Sequence, residues 1–359
     1  MDPTPGLTNI SASLNGTLAS AGCVVESPEY ITNGVVTFHF TSSSHSTSAT
    51  YNVGSTQTYA QVSNVQLEAA TTYSVYASCS ATNGESVRSN STTLTTPVPA
   101  VMPSESWLEL PAADTKMYPN AEELKVKSGG ERNYTAYYDK STYTSMWTAY
   151  PLQSKHMGSL SRPSKWYYNT EIGEEYQVDL TNSSYEGSTY SRGHLIPNAS
   201  RNGDSEMQKQ TFYVTNSVPQ VQNSFNSGIW SSLEGALQTM AKGGETLYIV
   251  TGVAFKKVGE TKSVSYIQAK DDTKNIPIPN YFYKIVLKVT TNSSGTVTSA
   301  STIGFWFENK AYSNSTYTNC AVSVDQVEQW TGFDFFANLP DGVEASAESN
   351  TNWSTFQSF

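Results

Sequence analysis

The segment Tyr190-Ser191-Arg192-Gly193-His194-Leu195-Ile196-Pro197 sets a guanidinium, a glycine and an imidazole in consecutive positions. Imidazole is the side chain whose ordinary pKa suits proton transfer near neutral pH. A guanidinium fork matches phosphate oxygens two at a time, and glycine allows close backbone approach. His194 is one of four histidines, with His39, His45 and His156, and the only one with an arginine within two residues. Taken alone, it fits equally a hydrogen-bonded residue at a strand end. A second pair follows: Asn226 and Glu234, eight positions apart. If both lie on one helix, this spacing places them two turns apart on a single stripe. An amide oxygen and a carboxylate aimed at one place suit a hard cation such as Mg2+, which keeps much of its water shell. Each residue taken singly is also a common helix-start residue.

These residues need elements to position them. Gly228 to about Ala241 has helical spacing, with Trp230, Leu233, Leu237 and Met240 near one face. The stretches Tyr134–Tyr138, Trp147–Leu152, Leu247–Gly252 and Tyr281–Val289 read as strands, and Ser323–Gln329 as a short helix with Ser323 as its N-cap. From residue 107 to 359 this predicts one mixed α+β domain. Residues 1–97 differ: Gly34–Phe40 and Thr72–Ala77 alternate like half-buried strands, turn chemistry separates them, and helical patterns are missing. That pattern predicts an all-β sandwich. Between the two, residues 98–106 form a Pro-punctuated linker.

Composition bounds the functions available. With 37% hydrophobic residues and 23 Tyr, the 359-residue chain is a folded one. No apolar run is long enough to span a bilayer. The opening residues lack the basic and apolar regions of a signal peptide, which fits either a cytosolic protein or a form whose signal has been removed. Three cysteines make no disulfide framework, and Cys23 and Cys79 read as two buried thiols in preference to a bridge. The net charge is −10, yet Arg88 is the only Lys or Arg before residue 101, and none follows Lys310. The middle is therefore near neutral, and any polyanion must be held by a local cluster of basic groups.

Several ordered blocks together resemble the DNA/RNA non-specific endonuclease family, whose members have the ββα-metal (His-Me finger) fold. The family motif Asp-Arg-Gly-His-x-x-Pro appears as Ser191 to Pro197, and its Thr-Phe-x-x-(Thr/Ser)-Asn-x-x-Pro-Gln as Thr211 to Gln220. Its Phe-Asn-x-x-x-Trp-x-x-Leu-Glu appears unchanged at Phe225-Asn226, Trp230 and Leu233-Glu234. Arg132-Asn133-Tyr134, Val250-Thr251-Gly252 and Thr331 to Phe336 resemble further family blocks, so the likeness runs from Leu108 to the end, about two-thirds of the chain. In residues 1–97, Leu67 to Tyr73 resembles the Leu-x-Pro-x-Thr-x-Tyr corner of fibronectin type III domains, and Leu94 to Pro97 their exit strand. Ala69 replaces the usual proline there, and the early tryptophan is missing.

The resemblance implies hydrolysis of phosphodiesters in DNA and RNA without base specificity. His194 would be the general base, Asn226 the direct ligand of one Mg2+ (with Mn2+ as a substitute), and Glu234 a holder of its water. Arg192 and Arg162 would bind phosphate and, with Glu234 and Asn216, join His194 in the catalytic set; Asn216 and Gln220 would be supporting polar residues that order the metal shell or pin the loop, the second for Gln220, which would also touch substrate. Arg201 fits structural pairing as well as a family role. Ser191 and Ser200 stand where family members usually carry aspartate, which leaves open how the outer water shell is organised. An indiscriminate nuclease threatens its own genome, so the expected location is secreted, periplasmic or cell-surface. Two other readings remain in view: a non-catalytic surface-binding protein on a nuclease scaffold, and an effector nuclease with an inhibitor partner. Loss of His194, Asn226 or Glu234 would have favoured the former, and all three are present.

Overall fold

The computed structural model describes residues 3–15, 18–68, 71–96, 107–112, 117–293, 295–313 and 315–359. The expected linker at 98–106 and the Ala69-Ala70 part of the corner lie outside these residues. The chain divides into two compact units, Met1–Pro99 and Ala100–Phe359.

The first unit is all-β. Its strands are β1 (Gly6–Asn15), β2 (Leu18–Glu26), β3 (Val35–Thr41), β4 (Ser46–Asn52), β5 (Tyr59–Gln66), β6 (Thr72–Ser80), β7 (Ser86–Arg88) and β8 (Thr92–Thr95). One sheet runs β1-β2-β5; the other runs β4-β3-β6-β7, with β8 also on β6, and all pairings are antiparallel. Alternate residues face one core: Ala19, Ala21, Cys23 and Val25 from β2, Val36, Phe38 and Phe40 from β3, and Tyr73, Val75 and Ala77 from β6. This period of two is the pattern that buries one face of each sheet. The Tyr73 hydroxyl accepts the Glu68 backbone N–H at 3.0 Å and so closes the β5–β6 corner. Cys23 and Cys79 are buried free thiols, and burial followed by the neighbouring Cys79 pushes Cys23 up to about 11.

The second unit is built on an antiparallel seven-stranded sheet, in the order β19-β18-β17-β14-β11-β10-β9. Its strands in chain order are β9 (Ala121–Ser128), β10 (Glu131–Asp139), β11 (Thr144–Leu152), β14 (Leu247–Ala254), β17 (Tyr281–Thr291), β18 (Val297–Glu308) and β19 (Ala321–Val322). A two-stranded ribbon, β12 (Tyr190–His194) with β13 (Ser217–Val221), stands apart from it, as does the short pair β15 (Tyr266–Ile267) and β16 (Ile276–Pro277). The helices are α1 (Ser205–Gln210), α2 (Ser231–Lys242), α3 (Val324–Thr331), α4 (Asp341–Ala347) and α5 (Trp353–Ser358).

The large sheet separates two apolar layers. Phe282 and Val286 of β17 pack with Leu195, Trp230, Leu233 and Leu237. The alternate residues Tyr283, Ile285 and Leu287 pack with Trp147, Val327 and Phe335. Strands buried on both faces read as continuous apolar runs, and β17 is one. Helix α2 joins the first layer through Leu233, Leu237 and Ala241, spaced four apart so that they share a face. Burying each leucine contributes roughly 1.5–3 kcal/mol. Glu234 lies beside that stripe, one turn after Trp230.

Candidate active site

The β12–β13 ribbon carries His194 opposite Ser217 and Gly193 opposite Val218. A Cβ built on Gly193 would stand 2.4 Å from Gln220 Oε1 and 2.6 Å from Gln220 Cβ, so the close packing of that side chain requires glycine here. Just past the strand, Asn216 fixes the turn. Its Oδ1 accepts the Ile196 N–H at 3.0 Å, and its Nδ2 donates to Ile196 O at 3.0 Å and Thr211 O at 2.8 Å. Every polar atom of this buried amide is occupied, so Asn216 positions the segment that follows His194.

The His194 ring sits between two aromatic rings, with Trp166 4.6 Å away between centroids and Phe212 4.8 Å away edge-on. Arg192 lies over Trp166 at 5.2 Å and Arg162 over Phe212 at 5.1 Å, so both guanidiniums flank the histidine. Burial first, then Arg162 and Arg192, push the His194 pKa down to about 3. The imidazole is therefore neutral at physiological pH and able to accept a proton. Its Nε2 is enclosed and has no hydrogen-bond partner among the described residues. Arg192 donates from Nη1 to Leu180 O at 2.7 Å, which aims the guanidinium.

Asn226 and Glu234 are not on one helix. Between them Gly228 takes φ −127° and ψ −112°, and Ser224, with φ 63°, breaks the turn before Asn226. The Oγ atoms of Ser231 and Ser232 donate to the Gly228 carbonyl at 2.9 and 3.0 Å, beside the Ser231 backbone N–H, and α2 starts only there. Their relation is thus set by a glycine turn rather than by helical azimuth. Asn226 is instead tied to the histidine strand: its Nδ2 donates to Ser191 Oγ at 3.0 Å and to Gln222 Oε1 at 2.9 Å. With both amide protons used, Asn226 Oδ1 has no hydrogen-bond partner among the described residues and is left as an acceptor.

Glu234 is half-buried, and its enclosed Oε1 likewise lacks a partner among the described residues. Beneath it lies Lys284 of β17, fully buried on the same sheet face as Phe282 and Val286. Lys284 Nζ donates to Thr251 Oγ1 at 2.5 Å and lies 4.6 Å from the Trp230 ring. Burial raises the Glu234 pKa to about 7, with Lys284 opposing that rise. Burial lowers Lys284 to about 8, with Glu234 opposing. An orphaned carboxylate oxygen and an amide oxygen stripped of donors form a hard-oxygen set that fits a hydrated divalent cation. A groove of about 700 Å3 lies next to the Asn226 turn, lined by Asn223, Ser227, Gly228, Ser232, Tyr312 and Tyr317 among others; neither His194 nor Glu234 lines it.

Residues 119–342 match the DNA/RNA non-specific endonuclease family. The chain belongs to that family. It is 29% identical over 244 residues to a nuclease of Nostoc sp., a match covering 67% of this chain and 82% of that one. It is 30% identical over 196 residues to a nuclease of Syncephalastrum racemosum, covering 52% and 59%. To the mitochondrial endonuclease G of Bos taurus it is 27% identical over 171 residues, covering 47% and 55%. Among solved structures, a chain of the EndoG/EndoGI complex superposes with a TM-score of 0.52 at 18% identity, covering 64% of this chain and 93% of that one. This last likeness concerns the fold alone.

Set against the family motif, Ser191 has a definite place. Its hydroxyl accepts from Asn226 and donates to Gln220 O at 3.3 Å, so serine here orients the amide of Asn226. Both polar atoms of the Gln220 side chain are enclosed and without a hydrogen-bond partner among the described residues, and Asn216 is the amide whose hydrogen bonds hold the turn. Arg201 is structural. Its fully buried guanidinium donates to Asn133 Oδ1, Asn133 O, Pro151 O and Ser200 O. Lys284 escaped the sequence reading, although a lysine amid Tyr281-Phe282-Tyr283 and Ile285-Val286-Leu287 is the signal that marks it.

Proposed function

We propose that this protein is a Mg2+-dependent, sugar-non-specific endonuclease that hydrolyses phosphodiester bonds in DNA and RNA. The observation that carries the reading is the convergence on β12 of a neutral, arginine-flanked His194 and an Asn226 whose carbonyl oxygen is left free. Asn226 Oδ1 would hold the ion directly, and Glu234 would hold its waters. Once bound, the ion would offset the negative charge that builds on the nonbridging and leaving oxygens. His194, kept neutral by burial and by two arginines, takes the proton of the attacking water at a ring nitrogen. Arg192 and Arg162 neutralise the scissile phosphate and hold it against that base. Asn216 and Ser191 keep the two groups in place. Glu234, whose pKa of about 7 lets it carry a proton near neutrality, can protonate the leaving oxygen. With contacts made to phosphate, binding weakens as salt rises.

For the first unit we propose a fibronectin type III-like module. The three- and five-stranded sheet order and the Tyr73 corner support it. We further place the protein outside the cytoplasm, where an indiscriminate nuclease spares its own genome. Among the described residues no helix is long and apolar enough to cross a membrane. Purified protein should degrade plasmid DNA and RNA with Mg2+ or Mn2+ and stop with EDTA. Intact substrates under every divalent ion tried would overturn the nuclease reading.

A further inference from the structure

Far from His194 in the sequence, the tail beyond Lys310 holds no Lys, Arg or His. Within it Asp325 and Glu328, three apart in α3, share a helix face with each other. Glu348, the residue capping α4, meets them: one carboxylate oxygen from each of the three lies within 4.8 Å of the others. The cluster is fixed by backbone bonds. Glu328 Oε1 accepts the Phe335 N–H at 2.8 Å, and Glu348 O accepts the Val324 N–H at 2.9 Å. No ion pair reaches any of the three among the described residues. Glu348 is only 6% exposed, and its Oε1 is sealed from solvent with no hydrogen-bond partner among the described residues. A buried carboxylate that meets two others and has one oxygen without any donor among the described residues is a costly arrangement, unless a cation or shared protons occupy the space between them.

The geometry points to a second divalent-cation site at Asp325, Glu328 and Glu348, selective for Ca2+ and separate from the nuclease centre. The donor set argues for the larger ion. Carboxylate oxygens within 4.8 Å of one another are compatible with Ca2+, whose ligand oxygens lie about 2.4 Å from the ion. Three carboxylates also offer the flexible, high-coordination oxygen set that Ca2+ takes and that Mg2+, reluctant to lose water, does not. The ion would join the start of α3 to the end of α4. The end of α4 is itself fastened to β18, where Thr302 Oγ1 donates to Ala347 O at 2.8 Å. The site is a structural clamp and takes no part in phosphodiester chemistry.

All seven tryptophans lie at or beyond Trp107, so tryptophan fluorescence reports the melting of the second unit alone. The full chain is melted in EDTA and in about 10 mM CaCl2, roughly one hundred times the Kd of a weak extracellular site. The expected rise in Tm is about 5–10 °C. Asn226→Ala should keep that rise, since it alters only the nuclease centre. Asp325→Asn, at a half-buried position that tolerates the change, should abolish it, as should Glu348→Gln. Equal Tm in EDTA and Ca2+ for the wild type would overturn the proposal and assign the space to shared protons. A rise lost in Asn226→Ala but kept in Asp325→Asn would also overturn it, because the ion would then sit at the nuclease centre.

Discussion

Ser191→Ala removes one of the two groups that orient Asn226. In the wild type Asn226 Nδ2 donates to Ser191 Oγ at 3.0 Å and to Gln222 Oε1 at 2.9 Å. The variant leaves the second bond in place, so the amide is loosened rather than released. A neutral hydrogen bond contributes about 1 kcal/mol net, which corresponds to roughly a fivefold change in an equilibrium constant. That value lies just below the 10–100-fold loss common when a partner behind a metal ligand is removed. The assay is the initial rate of plasmid cleavage against free Mg2+. Half-saturation should move up about fivefold, and the rate at saturating Mg2+ should change less than twofold, because His194 and both arginines are untouched. Ser191→Asp, which accepts the same N–H with a charged group, should move half-saturation the other way. An unchanged half-saturation in Ser191→Ala, or a collapse of the saturated rate alone, would refute the role given to Ser191.

Lys284 opposes the upward shift of Glu234, so Lys284→Met should carry that pKa above its present value of about 7 and move the alkaline limb of the rate–pH profile, where the leaving-group proton is lost, to higher pH; a limb that stays put would separate the two groups functionally. The same shift has a stability consequence. Because the folded pKa of Glu234 lies above the ordinary 4.5, its contribution to stability is fully present below pH 4.5 and is lost as pH rises through about 7. Glu234→Gln should flatten that part of a denaturant-midpoint-versus-pH curve, and a wild-type slope retained in the variant would count against the shift. Gly193→Ala sets a methyl 2.4 Å from Gln220 Oε1 and should cost about 1–3 kcal/mol, read as a Tm lower by several degrees; melting at the wild-type temperature would show that Gln220 moves aside freely.

Much of this was legible in the chain because the second unit is strongly patterned. The runs Tyr281–Val289 and Leu247–Gly252 are continuous apolar strands, and they are the central strands β17 and β14. Ser323 caps its helix as its type suggests, accepting the Gln326 N–H at 3.1 Å. Strand β18, Val297–Glu308, was not read, since its first half, Val297-Thr298-Ser299-Ala300-Ser301-Thr302, is polar and small, and pairing with β17 decides it. The helical reading of Gly228 failed locally because a single glycine torsion, which composition does not reveal, separates Asn226 from α2. The site's residue types were legible from motif blocks. The hydrogen-bond partners of Asn216 and Lys284, and the lack of any for Gln220 among the described residues, were not, because each depends on which polar atoms meet across distant segments. Lys284 and Thr251 meet across β17 and β14, 33 positions apart in the chain.

The central claim is that a neutral His194 activates water while Asn226 anchors the ion. It is tested most directly by the single-turnover rate of His194→Ala on plasmid DNA at saturating Mg2+. That rate should fall by about 10²–10⁴-fold, with the variant still folded and melting cooperatively by tryptophan fluorescence. A variant that cuts at the wild-type rate would contradict the account.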